Sequence, residues 1–232
     1  MNKKYLLYAG IVFFLIQSCT SYRGAFDETS TGHRIAAVGD SITYGFGIAN
    51  RPQHSYPAQL QNKLGDLWLV GNFGKNGATL LKRGDKPYIY SQQYNHALEF
   101  MPDIVIVKLG TNDTKPENRV YLNEFIQDYM DLIKSFQNLK SHPVIFIAYP
   151  VPAFGHRWGI DNRVITDKII PAIDRVAEET GVQIIDLYSA LSDKGSLYPD
   201  AIHPDREGAA ILAETVFNKL FDTILLLERP ED

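Results

Sequence analysis

Five short apolar runs, separated by longer stretches, lie between residues 32 and 224, and this alternation limits the fold more than any other feature of the chain. The runs are Ile35-Ala36-Ala37-Val38, Leu67 to Phe73, Asp103 to Leu109, Val144 to Ala148 and Val182 to Leu187. Their β-branched content and lack of polar alternation fit strands buried on both faces. Between them, Ser55 to Leu64 and Arg119 to Gln137 read as helices. In the second, Leu122, Phe125, Tyr129, Ile133 and Phe136 recur at three or four residues and form one apolar face. Asn162 to Glu179 is helical in pattern, with Pro171 placed to kink or split it. Arg206 to Phe221 reads as the last helix, with Asp205 as its N-cap. Strands that alternate with helices predict an α/β domain: a parallel sheet with helices on both faces. No internal repeat or long linker interrupts residues 32–224, so one domain is expected over residues 32–232.

The N-terminal segment has a different character. Lys3 and Lys4 precede an uninterrupted apolar run of 12 residues, Tyr5 to Ile16. A membrane-spanning helix needs about 20 apolar residues, so residues 1–18 read as a secretory signal. The run ends in Ile16-Gln17-Ser18-Cys19. That sequence resembles a bacterial lipoprotein box, which implies cleavage before Cys19 and lipidation of its sulfur. Residues 19–31 would then be a polar tether, and the protein an exported lipoprotein held at the periplasmic or outer face of a membrane. Cys19 is the only cysteine, so neither an intrachain disulfide nor a thiolate-rich zinc site can form. The net charge of −4 argues against a nucleic-acid groove.

In an open parallel sheet, ligands gather outside the carboxyl ends of the strands, and four loops there carry chemistry. After the first strand, Gly39-Asp40-Ser41-Ile42-Thr43 places a serine on a tight turn, exposing its hydroxyl and leaving its N–H free. After the second, Asn72-Phe73-Gly74-Lys75-Asn76-Gly77 offers two glycines whose backbone can approach a ligand, with Gly74 and Gly77 equally eligible. After the third, Gly110-Thr111-Asn112-Asp113 supplies a neutral amide donor. After the fifth comes Asp200-Ala201-Ile202-His203-Pro204. A serine needs a base, and histidine serves at neutral pH; the histidine needs a carboxylate to fix its tautomer. Nothing in the sequence calls for a metal or an organic cofactor. Gly45-Phe46-Gly47 lacks the third glycine of a dinucleotide loop.

The four blocks resemble those of the SGNH (GDSL-type) hydrolase superfamily: AVGDSITYG at Ala37 to Gly45, Asn72-x-Gly74-x-x-Gly77, Gly110-x-Asn112-Asp113 and Asp200-x-x-His203. Ile42 stands where the family nickname has leucine. The resemblance implies a flavodoxin-like three-layer α/β/α sandwich on a five-stranded parallel sheet. It implies Ser41 as nucleophile, His203 as general base and then acid, and Asp200 as its orienting carboxylate. It also implies an oxyanion hole made by the Ser41 N–H, the Gly77 N–H and the Asn112 amide.

Substrate class is less constrained. Tyr149 to Gly159 follows the fourth strand, and Phe154, His156 and Trp158 there suit the lining of a sugar pocket. The loop Leu81 to Tyr88, with Lys82, Arg83 and Lys86, suits an acidic sugar, and Asp40 and Asp113, beside the key serine and asparagine, are candidate substrate contacts. The wider stretch, including KLGTNDTKP, resembles lipoprotein carbohydrate and sialate O-acetylesterases of gut-type bacteria. The expected activity is removal of O-acetyl groups from a glycan. A lysophospholipase or acyl thioesterase is the enzymatic alternative, and a non-catalytic glycan-binding module the remote one.

Overall fold

The computed structural model describes residues 32–228. The expected signal, the expected tether with Cys19 and the last four residues lie outside that range. Five strands run parallel in the order β2-β1-β3-β4-β5: β1 (His33–Gly39), β2 (Trp68–Gly74), β3 (Ile104–Lys108), β4 (Val144–Ala148) and β5 (Gln183–Ile185). Ten α-helices among the described residues connect and follow them, beside shorter 3₁₀ and π turns. They are α1 (Ser41–Tyr44), α2 (Arg51–His54), α3 (Tyr56–Leu64), α4 (Gln92–Glu99), α5 (Pro116–Arg119), α6 (Phe125–Gln137), α7 (Asn162–Val164), α8 (Ile170–Thr180), α9 (Leu187–Leu191) and α10 (Arg206–Leu227).

The two-residue period of the strands divides the core into two layers. Ala36, Val38, Val105 and Val107 face Ala97 of α4, Phe125, Tyr129 and Phe136 of α6, and Ile173 and Val176 of α8. Ile35, Ala37, Ile104, Ile106 and Phe146 face Tyr56 and Leu60 of α3, Leu187 and Leu191 of α9, and Leu212, Val216 and Leu220 of α10. Covered on both sides, β1, β3 and β4 have no solvent face, hence their continuous apolar character. The expected three-layer sandwich on a five-stranded parallel sheet is the observed architecture.

One helix departs from the sequence expectation, and a second splits near Pro171 as expected. Arg119 to Gln137 is not continuous: α5 ends at Arg119, a single 3₁₀ turn spans Leu122–Glu124, and α6 begins at Phe125. The break follows from Asn118, whose side chain is buried and donates to the Asn112 carbonyl at 2.8 Å, tying α5 to the loop after β3. Asn162 to Thr180 is interrupted where Pro171 lacks an N–H. A π-helical turn at Ile165–Ile169 absorbs the mismatch, and Pro171 falls in the first turn of α8, where no donor is needed. The last helix runs on to Leu227, with Asp205 capping it through Glu207 and Gly208 N–H.

Register positions the chemistry. Gly39 is paired with Gly74 on one side and Lys108 on the other, so the three loops that follow leave the sheet side by side.

Candidate active site

The turn after β1 allows only glycine at its start. A Cβ on Gly39 would lie 2.2 Å from Thr43 Oγ1 and 2.6 Å from the Lys108 carbonyl oxygen. Asp40 then caps α1, accepting from the Ile42 N–H at 3.0 Å. This directs Ser41 to the surface of the turn, 8% exposed, with its Oγ 2.8 Å from His203 Nε2. On the other side of the ring, Nδ1 lies 2.8 Å from Asp200 Oδ2. Asp200 Oδ1 accepts the N–H groups of His203 (2.7 Å) and Ile202 (3.0 Å), which folds the segment into one turn, with Ala201 at φ 68°. Partial burial alone would push the Asp200 carboxyl up, but those two N–H donors and the imidazole outweigh it and hold the acid below its usual range. The carboxylate is therefore ionised whenever the imidazole needs a partner.

Three donors on the loops after β1, β2 and β3 remain available to a ligand. Among the described residues, neither the Ser41 N–H nor the Gly77 N–H has an acceptor. The structure separates the two glycines that the sequence left equal. The N–H of Gly74 is already used by Asn72 Oδ1 (3.0 Å), and a Cβ there would lie 2.1 Å from Tyr44 N, so Gly74 is a packing glycine. Gly77, at φ 77°, keeps its N–H. The Asn112 side chain donates one amide hydrogen to the Ala78 carbonyl at 3.0 Å, leaving its second for a ligand.

Beneath the turn lies a charge pair that the sequence reading missed. Lys108, the last residue of β3, is fully buried with its Nζ 3.0 Å from both oxygens of Asp40 and 3.0 Å from Thr111 Oγ1. Burial lowers the lysine pKa against the pull of Asp40. Its only sequence signal is a lone charge ending an otherwise apolar strand.

Several expected ligand contacts need correcting. Asp40 and Asp113 are 0% exposed, so neither reaches a substrate. Asp40 is occupied by Lys108 and the cap. Asp113 accepts from Leu80 N–H (3.1 Å) and Leu81 N–H (2.8 Å), anchoring the loop after β2 to the loop after β3. Burial pushes its acid up to about 7, against those two donors, which favour the anion. Arg83 is held by Glu124 at 2.8 Å, with its guanidinium 4.1 Å from the Tyr121 ring centroid, and so is not free to bind a sugar. His156 is exposed, and among the described residues it makes no hydrogen bond or ion pair with the relay.

Trp158 does reach the site: its ring centroid lies 5.3 Å from that of His203. Phe154 instead stands against Tyr198 at 4.8 Å, although its N–H donates to the Ala201 carbonyl and so joins this loop to the Asp200–His203 turn. The other aromatic at the imidazole, Phe46 at 4.6 Å, escaped the sequence reading. Two positive-φ glycines, Gly45 and Gly47, flank it and turn it back over α1, and this pattern was its available signal. Phe46 and Trp158 meet edge to face at 6.2 Å and remain 40% and 47% exposed. They form an apolar ledge open to solvent beside the imidazole.

A hydroxyl, an imidazole and a carboxylate in relay, beside unspent N–H donors, suit attack on a carbonyl and stabilisation of the resulting oxyanion. Comparison with known proteins agrees with this geometry. Residues 37–211 match the model of the GDSL-like lipase/acylhydrolase family. The chain is 43% identical over 201 residues to an acetylxylan esterase of Xylanibacter ruminicola, an alignment that covers 79% of this chain and 42% of that protein. It therefore spans less than half the length of that relative. Among solved structures, an inhibitor-bound aryl esterase from M. smegmatis superposes with a TM-score of 0.70 at 19% identity. A carbohydrate acetylesterase from Sinorhizobium meliloti superposes with a TM-score of 0.69 at 16% identity. Each comparison covers 82% of this chain and 99% of the other, and at such identities the likeness shows the fold.

Proposed function

The chain belongs to the GDSL-like lipase/acylhydrolase family, and from that premise we propose that it is a serine esterase that removes O-acetyl groups from a carbohydrate. The observation that carries the reading is the relay from Ser41 through His203 to Asp200, with both contacts at 2.8 Å. In this mechanism His203 Nε2 takes the Ser41 proton as Oγ attacks the acetyl carbonyl. The carbonyl oxygen becomes an oxyanion, held by the Ser41 N–H, the Gly77 N–H and the free amide hydrogen of Asn112. Collapse breaks the ester C–O bond, and His203 hands its proton to the departing sugar oxygen. Water, deprotonated by the same imidazole, attacks the acetyl-serine, the bond to Oγ breaks, and the imidazolium returns its proton to Ser41 Oγ as acetate leaves. Asp200 holds the ring with Nδ1 protonated throughout and stabilises the imidazolium.

The carbohydrate assignment rests on the exposed Phe46–Trp158 ledge, since aromatic faces suit the C–H faces of a sugar ring. The 43% identity to an acetylxylan esterase also supports it. The test compares initial rates on 4-nitrophenyl acetate, butyrate and octanoate, with acetate release from acetylated xylan measured in parallel. Acetate should be the best of the three esters, and xylan should release acetate. A preference for the eight-carbon chain would replace the sugar reading with a lipid one.

We place the enzyme outside the cytoplasm, tethered through lipid on Cys19, because the only cysteine follows the apolar run after just Gln17 and Ser18. A single acyl chain gives marginal membrane binding, whereas the several chains of a lipoprotein anchor hold firmly. Replacing Cys19 with Ala should move the protein from the membrane to the soluble fraction, and unchanged partitioning would refute the anchor.

A further inference from the structure

We infer that Lys86 is a specificity residue that receives the carboxylate of an acidic sugar ester beside the oxyanion hole, an inference that rests on the esterase reading above. The aliphatic stem of Lys86 lies across Gly77. A Cβ added to that glycine would sit 3.2 Å from Lys86 Cδ and 3.4 Å from Nζ. The ammonium thus stands next to one of the three oxyanion donors, on an exposed side chain.

The loop that carries Lys86 is built to hold it there. The Thr79 N–H donates to the Lys86 carbonyl at 3.0 Å and the Tyr88 N–H returns to the Thr79 carbonyl at 2.9 Å, so Lys86 is clamped against Thr79, itself two residues beyond Gly77. Tyr88 is fully buried and donates its hydroxyl to the Phe73 carbonyl at 2.8 Å, anchoring the loop to β2. Gly84 permits the tight return, since a Cβ there would meet Thr79 Oγ1 at 2.4 Å.

The other charges of the loop are neutralised. Lys82 pairs with Asp131 and with Asp128 at 3.4 Å, and Arg83 pairs with Glu124 at 2.8 Å. Asp85, the immediate neighbour, accepts from Asn118 at 2.8 Å and faces Lys115 at 3.6 Å. Among the described residues Lys86 has no acidic partner. A cation left unpaired at the rim of the oxyanion hole, in a chain of net charge −4, is a local exception to the field an anionic substrate would meet. Its exposure to water makes it a weak aid to the oxyanion of a neutral ester and a suitable partner for an anion carried by the substrate itself.

The probes are phenyl acetate and 3-acetoxybenzoate, alike at the ester and different in one carboxylate. Acetylated galacturonide and O-acetyl sialic acid run beside them to identify the acidic sugar. The wild-type enzyme should favour the anionic member, and 0.5 M salt should erode that preference. In K86M the anionic-to-neutral ratio of kcat/KM should fall about fivefold, the upper end for an exposed ion pair, mostly through KM. K86R should keep most of the ratio. Equal losses on both esters would assign Lys86 to loop structure or to the oxyanion, and an unchanged ratio would leave it without a role; either overturns the inference. If wild-type enzyme fails to hydrolyse phenyl acetate at all, the esterase reading itself falls.

Discussion

Ser41→Ala is expected to lower kcat on an aryl acetate by about a millionfold while the protein stays folded. Triad members act as a unit, and losing the nucleophile costs on the order of 10⁶ in serine hydrolases of this kind of geometry. The residual rate, about 10³–10⁴ over water, would come from the donors and from substrate binding alone. No neighbouring group can substitute. His203 Nε2 would face a methyl group, and Thr43 is fully buried behind Gly39. The variant removes one atom from a side chain that is 8% exposed, and Asp40 still caps the turn, so the melting temperature should hold within a few degrees. Single-turnover kinetics with enzyme in excess provide the measurement. An acetyl-enzyme burst, or a rate above about one per cent of wild type, would mean that another group attacks the ester.

The second large effect is on stability. Lys108→Met leaves Asp40 fully buried without its cation, and breaking a buried pair on one side costs about 3–5 kcal/mol. For a domain of this size that is a fall of roughly 6–20 °C in melting temperature. The double variant Asp40→Asn with Lys108→Met should recover most of the loss. Neither member of the pair then carries a charge, the asparagine oxygen can still accept from the Ile42 N–H, and methionine fills the volume of the lysine stem. Thermal unfolding by circular dichroism on the wild type and both variants decides it. A single variant as stable as wild type, or a double variant no better than the single, would show that the pair is not what supports the turn. The pair matters to chemistry as well as stability, because Asp40 holds the turn on which Ser41 stands and Lys108 ties that turn to β3.

Local signals explain what could be read early. Strand runs at Ile104–Lys108 and Val144–Ala148 are visible because burial on both faces leaves no polar alternation. Pro171 announced a break because a missing N–H is a property of one residue. Asp200 and His203 were legible as partners because three residues make one turn. Asn118 was not, since its effect on the long helix arises from an Asn112 carbonyl it meets only after folding. Arg83 misled for a similar reason. A cation in a loop sequence does not reveal the Glu124 on another segment that neutralises it.

The alternation of strands and helices, the four chemical blocks and their place at strand ends are written along the chain, because each depends on composition and spacing within a few residues. Tertiary structure alone decided which neighbours those blocks have. The Gly39–Gly74–Lys108 register brings Lys108 under Asp40 across 68 positions, and the fold brings His203 to Ser41 across 162. The same packing spends the N–H of Gly74 and spares that of Gly77, and it turns Phe46 onto the imidazole. Such choices rest on which hydrogen-bond and packing partners remain once distant segments are pressed together, and spacing along the chain carries no record of them.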